Sequence, residues 1–197
     1  MDKVELPEHH LYYELSMLLG TSRILVSDYF QLTASPTLKN AVLESFLVHL
    51  RSLKDFLWDK DKKRKNDDIV ADHFGQNCSR RNTKCQDKLG GKSIDEIDTA
   101  INKQISHLTE SRTNSLQGKN QWQIREIACD LAQYFDEFLK NVEVEKMNEE
   151  YASGLQKLVS DFKSDCLHST LHSSASTVTA STTVNINASI FFMGGPT

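Results

Sequence analysis

A histidine with a cation in reach can move protons at a phosphodiester, and His107 is the histidine of this chain placed to do so. Near neutral pH an imidazole can take the proton of a ribose 2′-hydroxyl or give one to a leaving oxygen. A neighbouring arginine would stabilise the charge that develops on the phosphorane. Two arginines are candidates: Arg51, if its helix packs beside that of His107, and Arg112, five residues on. At ~100° per residue, His107 shares a polar flank with Lys103, Gln104 and Ser111, and Asn102 lies on the opposite flank. The remaining histidines have plainer readings. His49 borders an apolar helix face and reads as a packed core-edge residue. His9 and His10 read as solvated residues at a helix start, and His168 and His172 fall in the tail.

A second kind of chemistry is electrostatic. Lys60 to Lys92 holds ten Lys/Arg and five Asp/Glu, net +5, which leaves −9 on the rest of a chain whose total is −4. Within it Lys62, Lys63, Arg64, Lys65, Arg80 and Arg81 are the candidate RNA contacts. The same composition fits a solvated loop. His73, Cys78 and Cys85 suggest zinc, but the spacing of the cysteines matches no compact zinc motif and a fourth ligand is not evident locally. No metal and no cofactor are expected. Phosphate-loop, dinucleotide, zincin, nucleophile-elbow and EF-hand motifs are absent.

These residues need a scaffold, and the periodicity supplies a helical one. Ser93 and Glu96 form a capping box opening a helix to Arg112, with Ile94, Ile97, Ile101, Ile105 and Leu108 as its buried stripe. A first helix is predicted from His9 to Thr33. A second begins at Pro36, a residue suited to the first helical position, and runs to Lys62 with Val42, Phe46, Leu50, Leu53 and Leu57 inward. On its far side Glu44, Val48, Arg51 and Asp55 line up. They read either as a solvated stripe with an Arg51–Asp55 pair or as a face meeting a partner subunit or a cleft beside His107. Ile69 to Phe74 could dock as a turn of helix within the long basic connection. A fourth helix spans Gln121 to Val144 and a fifth Asn148 to Cys166.

The expected fold is an all-α bundle of four to five helices with a long basic loop. Residues 1–166 form the helical domain, and 167–197 form a Ser/Thr-rich tail that reads as disordered. The apolar fraction of 39% permits a real core. No apolar run reaches 18 residues, so no membrane span is expected, and the N-terminus lacks signal-peptide character. The expected compartment is the cytoplasm, where the four cysteines should be thiols, Cys129 and Cys166 as core residues.

The segments NAVLESFLVHLRSLKDFLW, NDDIVADHF and INKQISHLTESR, followed by a Trp-led helix, together resemble divergent members of the HEPN superfamily over roughly Pro36 to Leu139. The resemblance implies a helical bundle, often dimeric, in either of two forms. One is a metal-independent ribonuclease of toxin–antitoxin or phage-defence systems; the other is a non-catalytic relative. The family's motif is an Arg, four to six residues, then His, commonly with a polar residue straight after the Arg. Asn102 and His107 match the polar residue and the His, while Ile101 occupies the Arg position. Arg51 would then substitute from the neighbouring helix, or the protein is an inactive binding relative. The partners implied are RNA, a second copy of the chain, and a cognate antitoxin or other partner protein. The reading from a different class is a non-enzymatic, dimeric helical interaction module in which His107 is structural.

Overall fold

The computed structural model describes residues 7–58, 69–105 and 122–174, with the backbone alone at 7, 8, 81 and 167–174. Among the described residues the chain is all-α apart from one small hairpin. The helices are α1 (Pro7–Leu25), α2 (Asp28–Thr33), α3 (Pro36–Trp58), α4 (Ile94–Ile105), α5 (Ile124–Asn141) and α6 (Glu149–Ser174). Strands β1 (Lys88–Leu89) and β2 (Lys92–Ser93) pair antiparallel just ahead of α4. No described helix is long and apolar enough to cross a membrane.

The helix predicted from His9 to Thr33 is broken in two. Ser27, extended at φ −74 and ψ 124, separates α1 from α2. The Gln31 side chain donates to the Leu25 carbonyl at 2.6 Å, satisfying one of the acceptors left open at the end of α1. α3 starts at Pro36 as expected, with the Ser35 hydroxyl accepting from the Leu38 amide at 3.3 Å. α1 and α3 pack side by side and antiparallel: Glu14 meets His49, while the earlier His10 and Leu11 line one cavity with the later Phe56.

α5 and α6 form a second antiparallel pair, joined by Lys163 to Asp136 at 2.7 Å, and α1 packs against both. The shared interior is aromatic at its centre. Phe56 of α3 lies 5.2 Å from Phe138 and 6.0 Å from Phe135 of α5, ring centre to ring centre. Phe74 joins the cluster at 5.9 Å from Phe56, carried by the 3-10 turn Ala71–Phe74. That turn docks as the apolar pattern of Ile69 to Phe74 suggested.

The connection expected to be one long loop is thus folded over its described part. Its end is fixed by Gly90 and Gly91, at φ 56 and 77, the paired left-handed conformations of a two-residue hairpin turn. α4 then opens on the capping box foreseen at Ser93. The Ser93 amide donates to Glu96 at 2.8 Å, and the Glu96 amide donates back to the Ser93 hydroxyl at 3.3 Å. A Cβ on Gly90 would meet Ile127 Cγ1 at 2.7 Å, whereas none of its neighbours would crowd one on Gly91. Gly90→Ala is therefore expected to destabilise by about 1–3 kcal/mol beyond the left-handed penalty that both positions share. Urea unfolding of the two alanine variants checks this; equal midpoints would refute the close approach.

α6 also departs from expectation. Its backbone stays helical to Ser174, past the boundary drawn at Cys166. Leu167 to Ser174 contains neither Pro nor Gly, so no backbone breaker halts the helix there. Residues 175–197 lie outside the described residues.

Candidate functional site

The α3–α4 face is where the sequence-derived site can be tested. Trp58, the last residue of α3, donates its indole N–H to Asp87 at 2.7 Å, which brings the hairpin to that end of the helix. α4 starts beside it and runs back along α3, and Lys54 Nζ reaches Asp98 at 2.9 Å. Extending that antiparallel register by one turn sets Arg51 level with Ile101 and Asn102. Arg51 is about 60° around the helix from Lys54 and is exposed.

The electrostatics of this face are mixed. The Lys54 side chain is 7% exposed and also hydrogen-bonds Asp55. Burial alone would lower its pKa; Asp55 and Asp98 outweigh that and raise it, so Lys54 remains a cation. Asn102 Nδ2 lies 3.5 Å from Asp98 Oδ2, the long limit of a hydrogen bond. Arg51 is exposed and makes no ion pair among the described residues. The Arg51–Asp55 pair of the solvated-stripe reading is not formed, because Asp55 is taken by Lys54 from the adjacent position. Ile101 is fully buried in the stripe. His107 and Arg112 lie outside the described residues, as do Lys62, Lys63, Arg64 and Lys65.

Of the basic residues assigned to RNA, Arg80 is described in full, and it is committed to the protein itself. Its Nε and Nη2 donate to the two oxygens of Asp87 at 3.0 and 2.9 Å, Nη1 pairs with Glu137, and the guanidinium lies 4.2 Å from the Tyr134 ring centre. The Asp87 carboxylate, 7% exposed, accepts from Thr83 at 2.7 Å as well as from Arg80 and Trp58. Burial would raise the Asp87 pKa, but its hydrogen bonds from Arg80, Trp58 and Thr83 and the Arg80 charge hold it below the ordinary carboxylate value. Arg81 contributes its backbone to the 3-10 turn Arg81–Thr83.

Two further constellations involve residues with plainer sequence readings. His49 is buried, and its Nδ1 lies 2.8 Å from Glu14 Oε2, with the Tyr13 ring edge-on to the imidazole. This is a core-edge histidine, now with a carboxylate partner. The apolar spacing around His49 signals its burial; Glu14, 35 residues earlier, carries no comparable signal. Cys129 of α5 and Cys166 of α6 form a disulfide, with Cα atoms 6.2 Å apart. The expectation of four thiols is corrected on this pair: antiparallel packing of α5 on α6 brings two half-buried cysteines within bonding reach. Cys78 stays a buried thiol, donating to the Asn141 carbonyl at 3.3 Å. Burial, then Glu143 and Asp72, push its pKa up to about 11, so it is no nucleophile at neutral pH.

No cluster of three or more His, Cys, Asp or Glu able to hold a metal ion occurs among the described residues. Comparison with family models, with curated proteins and with solved structures finds no match.

Proposed function

We propose that this protein is a non-catalytic helical interaction module that associates with a second copy of itself through the outer face of α3. The observation that carries the reading is the composition of that face. Val48, 45% exposed, sits between Glu44 and an Arg51 that makes no ion pair among the described residues. A two-fold axis near Val48 would bring Glu44 of each copy to Arg51 of the other around an apolar centre, the self-complementarity an isologous contact requires. Phosphate binding has less support. Lys54 is neutralised by two aspartates and Arg80 by an aspartate and a glutamate. Light scattering at micromolar concentration tests the reading, with the mass of a dimer expected and the mass of a monomer contradicting it.

One observation favours the HEPN-like alternative, in which His107, Arg51 and Asn102 cleave RNA. The α3–α4 register sets the exposed Arg51 level with Asn102, as delivery of the missing arginine from a neighbouring helix demands. On that alternative the wild type would cleave RNA in the presence of chelator. His107→Ala and Arg51→Ala would each lower the rate by about 10²–10⁴-fold without lowering the melting temperature by more than a few degrees. The interaction-module reading expects no cleavage by any of the three proteins in a gel assay. Cleavage that vanishes in both variants would replace that reading.

A further inference from the structure

We propose that the Cys129–Cys166 disulfide is a reducible latch that fastens the C-terminal end of α6 to α5. Towards this end the helix is held less by buried packing. Leu155, Val159 and Phe162 are the buried anchors in the later part of α6, and none of Lys163, Ser164, Asp165 and Cys166 is buried. Among the described residues two ion pairs act there. Lys163 reaches Asp136 at 2.7 Å, and Arg23 reaches Asp165 at 2.7 Å with both side chains about half exposed. The Arg23–Asp165 pair is a surface pair and holds weakly, and Lys163, which reaches the less exposed Asp136, is itself partly exposed. The covalent bond is the strong tie at this end, and the helix continues beyond it to Ser174.

The bond is also placed to be opened. Both cysteines are half-buried rather than enclosed, and accessible disulfides are the ones that exchange readily. A dithiol is the reductant. Its thiolate attacks one sulfur, a mixed disulfide forms, and its second thiol resolves that bond. Two electrons and two protons pass to Cys129 and Cys166, which become thiols, while the dithiol becomes a cyclic disulfide. Cys78, neutral and buried, takes no part in this exchange.

Lys163 provides a readout, since trypsin can cut after it once this end of α6 opens. The full chain is purified without reductant, its thiols are counted in denaturant, and it is digested with trypsin before and after dithiothreitol. Two thiols are expected before reduction and four after. Cleavage after Lys163 should accelerate about tenfold or more on reduction, and the melting temperature should fall by on the order of 10 °C. The Cys129→Ser/Cys166→Ser variant should be cut quickly with or without dithiothreitol. Four thiols before reduction, or an unchanged cleavage rate on reducing the wild type, would overturn the proposal.

Discussion

Asp87→Ala is expected to destabilise the protein by about 3–5 kcal/mol, because it leaves a largely buried arginine without its principal counter-ion. The Asp87 carboxylate receives the indole N–H of Trp58, two N–H groups of Arg80 and the Thr83 hydroxyl, all between 2.7 and 3.0 Å. It ties the end of α3 to the segment that leads through the hairpin into α4. Removing it takes the acceptor from four donor groups on three side chains at once, and each buried group left unsatisfied costs about 1–3 kcal/mol. Asp87→Asn keeps an acceptor but loses the charge, so it should fall between alanine and wild type. Arg51→Ala, on the exposed face, should change stability by no more than about 0.5 kcal/mol. Urea unfolding followed by tryptophan fluorescence reads all three. An Asp87→Ala loss under 1 kcal/mol would show that the network does not hold the segment.

The same carboxylate sets a pH dependence. Its folded pKa lies below the ordinary value. The stability it contributes is therefore present above the unfolded carboxylate pKa and is lost as the pH falls through that value and on through the folded one. Over that acidic range wild type should lose stability more steeply than Asp87→Asn. Parallel curves would remove Asp87 as the source.

What was legible in the sequence was local. The Ser93–Glu96 box, the isoleucine stripe of α4, Pro36 at the start of α3 and the docking of Phe74 each depend on residues a few positions apart. The break at Ser27 has a signal too, a Ser-Asp pair of the kind that opens helices, set inside an apolar pattern that runs through it. What was not legible joins distant positions. Trp58 finds Asp87 across 29 residues, Arg80 finds Glu137 across 57, and Cys129 finds Cys166 across 37. Those pairings depend on which helices are neighbours and in what register, and periodicity reports only which side of each helix is buried. Arg80 shows the consequence: in the sequence it is one more charge in a basic run, and in the fold it is an internal strut.

The association proposed for α3 makes the other large prediction. In a two-fold contact centred near Val48, Arg51→Glu would remove two Glu44–Arg51 pairs and set four carboxylates together. At about 0.2–1 kcal/mol for each pair lost, and as much again for each repulsion, the dimer should weaken by about 1–4 kcal/mol, or roughly 5- to 700-fold in Kd. The reversed pair, Glu44→Arg with Arg51→Glu, restores complementarity, because each copy again presents one charge of each sign to the other. Sedimentation equilibrium of the wild type, the single variant and the double variant is the most direct measurement of the central claim. The account predicts a dimer, a weakened dimer and a restored dimer in that order. A monomeric wild type at micromolar concentration, or a double variant that associates no better than Arg51→Glu, would contradict it.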